Sequence, residues 1–267
     1  MTSNFFPAMR PLEDQVQRAG HVLFALDYDG TLTPIVEDPM HAVLPPPTRE
    51  LLGSLARFKD VSVAIMSGRI IKDLRELVAL NELIYVGNHG VEIEGPRFRF
   101  TEPAASVAAP ELHQLGIDLA EILSHIPGAV VEDKGLSIGI HHRQVAPVDA
   151  EEVWQRVLRA IDPIKDRLQL TAGAKIYEIR PRVSWNKGDT VNWIRNRLEL
   201  PNTLVIYAGD DITDEDAFAV LGNDAVTIKV GDSAATTTAQ YLLPSPAEVH
   251  GFLHWMHDMI EEKTSKK

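Results

Sequence analysis

Five short apolar runs, Val22–Leu26, Val61–Met66, Leu83–Val86, Leu204–Ala208 and Val226–Val230, each give way at once to small or polar residues. No other feature of the chain restricts its fold so strongly. Each run is about the length of a buried strand, and most are rich in Val and Ile. Helical patterns separate the runs, which is how a parallel sheet covered on both sides reads in sequence. The residues that follow the runs are Asp27-Tyr28-Asp29, Ser67-Gly68-Arg69, Gly87-Asn88-His89-Gly90, Gly209-Asp210-Asp211 and Gly231-Asp232-Ser233. In an open parallel sheet these strand ends emerge along one edge, where ligands bind. Five separate clusters therefore describe one site.

Punctuation places the helices between the runs. Thr48, after three prolines, is expected to cap a helix over Arg49–Phe58, and a second helix covers Ile70–Leu80. Lys187-Gly188-Asp189-Thr190 opens Val191–Leu198. Ser245-Pro246-Ala247-Glu248 has the spacing of a capping box with proline at the first helical position, and opens a last helix to about Ile260. The polar tail Glu261–Lys267 is expected to fray.

The middle of the chain changes character. Helix Glu111–Ser124, strands Ala129–Lys134 and Leu136–His142, helix Asp149–Ile161, and strands Leu168–Ala172 and Lys175–Ile179 form an αββαββ series. The tight turns at Lys134-Gly135 and Ala172-Gly173 make both strand pairs hairpins, so this smaller sheet is antiparallel. The predicted fold class is α/β: a Rossmann-like, doubly wound parallel sheet core with an inserted αββαββ cap domain over its active edge. The expected division is core 1–103, cap 104–181 and core 182–267.

At 267 residues the chain can bury a substantial core, and its formal net charge of −12 argues against nucleic acid or an anionic membrane as a partner. A phosphorylated substrate would need local cations instead. The absence of cysteine excludes disulfides and thiolate metal sites. No run approaches membrane-spanning length, and the first residues lack the basic and apolar stretches of a signal peptide. The expectation is a cytoplasmic monomer acting on a small molecule.

Asp27 and Asp29, one residue apart at the end of a buried strand, repel each other unless a cation or a hydrogen-bond donor offsets the charge. A carboxylate here can attack phosphorus and split hydrolysis into two easier steps. Its neighbour can protonate the leaving alcohol and then activate water. Asp210, one residue past another strand, suits a hard cation with an all-oxygen shell. The predicted metal is Mg²⁺, held by the side chains of Asp27 and Asp210 and the carbonyl of Asp29, with Asp211 and Asp214 supporting them. Ser67 and the Gly68 amide can bind phosphate. Lys187, at a helix start where the dipole disfavours a cation, needs an anionic neighbour. The cap strands add Glu132, Lys134, Arg143, Lys175 and Glu178, whose bland alternative is a solvated face. His141 and His142 are expected on the hairpin surface, since no third histidine stands at a metal-binding spacing.

Asp27-Tyr28-Asp29-Gly30-Thr31, Ser67, Lys187 and Gly209-Asp210-Asp211 resemble, in order, the four motifs of haloacid-dehalogenase-superfamily phosphatases. More narrowly, Val86-Gly87-Asn88-His89-Gly90, Val131-Glu132-Asp133-Lys134-Gly135, Glu178-Ile179-Arg180-Pro181 and Asp210-Asp211-Ile212-Thr213-Asp214-Glu215 are similar to the trehalose-6-phosphate phosphatase family. The resemblance runs from about His21 to Leu253. It implies a type 2B cap, Asp27 as nucleophile, Asp29 as acid and base, and Lys187 and Ser67 on the phosphate. It also implies a substrate-binding set of Asn88, His89, Glu132, Lys134, Arg143, Lys175 and Glu178. His142 stands where an aromatic is common, and Asn186 where aspartate is common. No glycosyltransferase domain precedes these motifs, so a stand-alone enzyme is expected. The alternatives are a sister phosphatase of sucrose phosphate, mannosyl-phosphoglycerate or a nucleotide, a metal-dependent glycosyltransferase, and a non-catalytic sugar-phosphate sensor.

Overall fold

A computed structural model describes residues 10–36, 41–173, 175–232 and 236–266. Ser233 of the fifth strand-end cluster lies outside the described residues. The chain divides into two units: the residues up to Phe100 with those from Trp185 onward, and Thr101–Ser184.

The first unit is built on β1 (His21–Asp27), β2 (Val61–Met66), β3 (Ile84–Gly87), β4 (Glu92–Gly95), β5 (Phe98–Thr101), β10 (Thr203–Gly209), β11 (Ala225–Val230) and β12 (Tyr241–Leu243), in the spatial order β12-β11-β10-β1-β2-β3-β4-β5. The six strands from β12 to β3 are parallel, and β4 is antiparallel to β3. The predicted runs are five of these strands. The short β4 and β5 alternate apolar and polar residues, as edge or near-edge strands that bury one side do, and β12 is an apolar stretch of three residues.

Val22, Phe24 and Leu26 face one core, with α1 (Arg10–Arg18), α2 (Pro46–Ala56), α3 (Ile71–Val78) and α8 (Pro246–Ser265). Leu23 and Ala25 face the opposite core, with α6 (Lys187–Leu198) and α7 (Ile212–Leu221). Both faces of β1 are covered, which is why its run is continuously apolar. The chain runs outward through β1, β2 and β3, then resumes at β10 on the other side of β1. The switch in direction therefore falls between β1 and β10, where an open sheet forms its ligand crevice. Register places Leu26 beside Ala208 and Asp27 beside Met66. Asp29, Ser67 and Asp210 consequently leave the sheet along one edge.

The helix expected from Glu111 begins eight residues earlier, at Pro103, where the Glu102 side chain accepts from the Ala105 amide, and three helix ends of the first unit also differ from expectation. Helix α2 starts at Pro46 with no side-chain cap, and Thr48 lies inside it, buried, its hydroxyl 3.2 Å from His250 Nδ1. Proline has no N–H to satisfy and a preset φ, so the first turn forms without a cap. Ser245 precedes Pro246 as expected, but its side chain makes no capping bond. Helix α8 continues to Ser265 instead of fraying after Ile260. Lys263 Nζ donates to the carbonyls of Val16 and Ala19, at 2.7 and 2.6 Å, at the C-terminal end of α1. A cation is favoured there by the helix dipole.

The second unit pairs β6 (Val130–Asp133), β7 (Ile138–His141), β8 (Leu168–Gly173) and β9 (Ile176–Pro181) in the order β6-β7-β9-β8, all antiparallel. Helices α4 (Pro103–Leu123) and α5 (Ala150–Ile161) supply Leu112, Leu115, Leu119, Val153 and Val157 to one face, against Ile138, Ile140 and Ile179. Register aligns Glu132, Gly139, Glu178 and Thr171 in one row on the other face.

No described helix is long and apolar enough to cross a membrane. Lys263→Ala removes two charge-assisted bonds and should lower unfolding stability by about 1–2 kcal/mol in urea titrations. Lys266→Ala, which breaks only the exposed pair with Glu262, should cost under about 0.5 kcal/mol.

Candidate active site

Asp27 ends β1, and its side chain is 7% exposed. Its Oδ1 accepts a 2.6 Å bond from Lys187 Nζ, which donates a second, of 2.7 Å, to Asp214 Oδ1. Asp214 is fully buried. Its Oδ1 also accepts from the Tyr207 hydroxyl at 2.6 Å, and its Oδ2 from the Asp211 amide at 2.9 Å. Two helix starts bring these groups together. Asn186 caps α6, its side chain accepting from the Gly188 and Asp189 amides. Asp211 and Asp214 form a reciprocal capping box on α7. Gly209 permits this, because a Cβ at that position would overlap the Asp214 carboxylate.

Asp210 packs against Gly30, which has φ +86° and no room for a side chain. Thr31 Oγ1 lies 3.4 Å from Asp210 Oδ1, and Lys229 Nζ donates to the Asp210 carbonyl at 2.6 Å. Carboxylate oxygens of Asp27, Asp210 and Asp214 all lie within 4.8 Å of one another. Three acids against the ammonium groups of Lys187 and Lys229 leave a surplus of negative charge. Burial, opposed by Lys187 and reinforced by Asp214 and Asp210, holds the Asp27 carboxyl well above the usual range. Burial, then Asp214 and Asp211, pushes Asp210 up to about 6. Burial disfavours the Lys187 ammonium, but Asp214 and Asp27 outweigh it and its pKa rises. The all-oxygen donor set and the surplus charge fit a hard divalent cation.

Asp29 has a different environment. Arg69 Nη2 and Nε reach its Oδ1 and Oδ2 at 2.6 and 2.8 Å, and the Ser67 hydroxyl is 3.3 Å from Oδ2. Asn88 and His89 form a 3₁₀ turn after β3, both at positive φ. The Asn88 amide donates to the Arg69 carbonyl and the His89 amide to the Ser67 carbonyl. The His89 ring occupies the place where a side chain on Gly68 would stand.

In the second unit, Lys134 Nζ donates to Glu178 Oε1 at 3.0 Å, and His141 Nε2 lies 2.8 Å from Glu132 Oε2. The His141 bond, with Lys134 nearby, lowers the Glu132 pKa. The Lys134 and Glu178 side chains are only 10% and 11% exposed, so this is not a solvated charge row. Arg143 and Lys175 lie exposed outside the strands. His142 corrects the expectation of a surface histidine: it is buried and stacks on Tyr177 with ring centroids 4.2 Å apart.

Residues 25–246 match the family model of trehalose-phosphatase. The chain belongs to the trehalose-phosphatase family. It is 34% identical to trehalose-phosphate phosphatase B of Arabidopsis thaliana, over 97% of this chain and 74% of that one. It is 39% identical to the trehalose-phosphate phosphatase of Mycobacterium tuberculosis, over 88% of this chain but only 61% of the relative's length. The crystal structure of a trehalose-6-phosphate phosphatase related protein superposes with a TM-score of 0.77 over 90% of this chain and 99% of that one. At 24% identity that likeness is one of fold. As a member of the trehalose-phosphatase family the chain is a phosphatase.

Sequence reasoning gave no role to Arg69, Tyr207, Lys229 or His141. Arg69 carried the signal of a cation inside a strand-end cluster, and Lys229 that of a lone cation within an apolar run. Tyr207 sits inside an apolar run and reads as core.

A raised Asp210 pKa means the folded chain binds that proton more tightly than the unfolded chain does. The resulting stability is present below about pH 4 and is lost as pH rises through about 6. Stripped of metal, the wild type should lose on the order of 2 kcal/mol relative to Asp210→Asn between pH 4 and 7. Urea midpoints of the two proteins across that range check this, and a flat difference would contradict it.

Proposed function

We propose that this chain hydrolyses trehalose 6-phosphate to trehalose and inorganic phosphate, the final step in making trehalose, through an aspartyl-phosphate on Asp27 and with Mg²⁺. The carrying observation is the buried Asp27–Lys187–Asp214 chain with Asp210 beside it. The disaccharide is supported by the names of the relatives and by the polar pairs Glu132–His141 and Lys134–Glu178.

Lys187 occupies Asp27 Oδ1 and leaves Oδ2 to attack phosphorus. As the new oxygen–phosphorus bond forms, the bond to the sugar oxygen breaks, and Asp29 gives that oxygen its proton. Asp29 then takes a proton from the water that attacks the aspartyl-phosphate, releasing phosphate and regenerating the Asp27 carboxylate. Asp27, Asp210 and the Asp29 carbonyl would hold the cation, with Asp211 and Asp214 behind them. When bound, the cation offsets negative charge on the phosphoryl group. Ser67, the Gly68 amide and Lys187 do the same as hydrogen-bond donors, and phosphoryl transfer depends mainly on that stabilisation. Glu132, Lys134, Arg143, Lys175 and Glu178, with Asn88 and His89, supply the sugar-binding groups.

Asp27→Asn should still fold, its amide oxygen accepting from Lys187 at some cost in melting temperature, and lose at least about 10⁴-fold in kcat. Full turnover in that variant overturns the nucleophile assignment. Phosphate release from a panel of sugar phosphates, with Mg²⁺ and with chelator, should favour trehalose 6-phosphate and require the metal. Equal rates on sucrose phosphate or nucleotides would remove the substrate assignment while leaving the chemistry.

A further inference from the structure

Asp29 stands outside the group formed by Asp27, Asp210 and Asp214, although it is only two residues from Asp27. It is held on both oxygens by the planar fork of Arg69, at 2.6 and 2.8 Å. Arg69 is itself fixed on several sides. Its amide donates to Ser67 Oγ at 3.2 Å, and its carbonyl accepts from the Asn88 amide at 2.8 Å. Its guanidinium lies 5.8 Å from the centre of the Tyr28 ring, whose hydroxyl is tied to the Ala42 carbonyl at 2.6 Å. The Arg69 side chain is 12% exposed, while that of Asp29 is 38% exposed. The cation is the anchored member of the pair, and the carboxylate is the member that faces solvent.

We infer that Arg69 is the positioning residue for Asp29, holding its carboxylate apart from the Asp27–Asp210–Asp214 group and aimed for proton transfer. Charge repulsion from Asp27 pushes Asp29 away but fixes no direction. A two-point guanidinium contact does fix one, because both oxygens are engaged in the plane of the fork. Without it, a short carboxylate beside three others would be drawn into any cation site they form, as one more oxygen ligand. It would then be lost as a proton carrier. The competing role for Arg69 is direct binding of the substrate phosphate. Two of its N–H groups are instead taken up by Asp29, so that role is disfavoured. The inference rests on the reading of Asp29 as acid and base.

The test is a mutant cycle of Asp29→Ala, Arg69→Ala and the double variant, with Arg69→Lys, each assayed on trehalose 6-phosphate and on p-nitrophenyl phosphate. Arg69→Ala should lower kcat on the sugar phosphate about 10–100-fold, with KM within about threefold, because misplacing a reacting group by about 1 Å costs that much. Arg69→Lys, which keeps the charge but not the fork, should recover part of the loss. p-Nitrophenolate leaves without a proton, so Arg69→Ala should give a rapid burst of it followed by slow turnover. In the double variant the burst rate and the slow rate should match those of Asp29→Ala alone, since a residue acting only through Asp29 has nothing left to act on. Melting temperatures close to the wild type exclude a folding defect. If Arg69→Ala does not fold, Arg69→Lys and Arg69→Gln carry the same comparisons. A raised KM with kcat kept overturns the inference in favour of phosphate binding. So does the full Arg69→Ala loss reappearing on top of Asp29→Ala. Wild-type kinetics in Arg69→Ala, with Asp29→Ala inactive, overturns this inference alone. Wild-type turnover in Asp29→Ala overturns the acid–base reading on which it stands.

Discussion

Lys187 bonds Asp27 at 2.6 Å and Asp214 at 2.7 Å with almost no exposure to water, and the arrangement of the first unit turns on that contact. It joins the end of β1 to the starts of α6 and α7, elements from distant parts of the chain. Burial and the helix dipole both disfavour an ammonium at a helix start, and the two carboxylates beside it offset that cost. The carboxylates are in turn disfavoured by burial, and the three groups are mutually dependent. Tyr207 and the Asp211 amide complete the donors around Asp214. The Asp214 carboxylate thus supports the helix cap and the lysine at once.

The remaining acids are sorted by the partners they receive. Asp29 is paired with Arg69, and the Asp210 main chain with Lys229. The side chain of Asp210 is left partly buried at the edge of a negative cluster, and burial, then Asp214 and Asp211, pushes its carboxyl up to about 6. Distinct surroundings for near-identical carboxylates thus follow from which cation each one meets. In the second unit the same principle works on a sheet face, where Lys134 and His141 each hold a glutamate in a fixed direction.

Much of this was legible in advance because it depends on short-range pattern. The runs ending at Leu26, Met66, Val86, Ala208 and Val230 read as buried parallel strands, and they are. The αββαββ order, the hairpins and the antiparallel small sheet follow from turns at Gly135 and near Gly173. Strand ends point to one edge in any parallel sheet, so Asp27, Ser67 and Asp210 could be grouped without coordinates. The errors lie where a local signal had a tertiary competitor. Thr48 and Ser245 have the chemistry of caps, but prolines start both helices without them, and Thr48 meets His250 instead. The polar tail reads as frayed, yet Lys263 finds carbonyls of α1 some 240 residues earlier.

Two unlike sheets, and carboxylates collected at the end of the larger one, follow from local pattern. Periodicity and turn chemistry are properties of neighbours along the chain. Which cation each carboxylate meets depends instead on groups that folding brings together. Lys187 reads as a helix-start cation that needs an anionic neighbour, while Arg69 and Lys229 carry no such signal, and the pairings of all three depend on side-chain reach across the sheet edge. His142 and Tyr207 became core and hydrogen-bond partner for the same reason: a side chain's role is set by what packs against it.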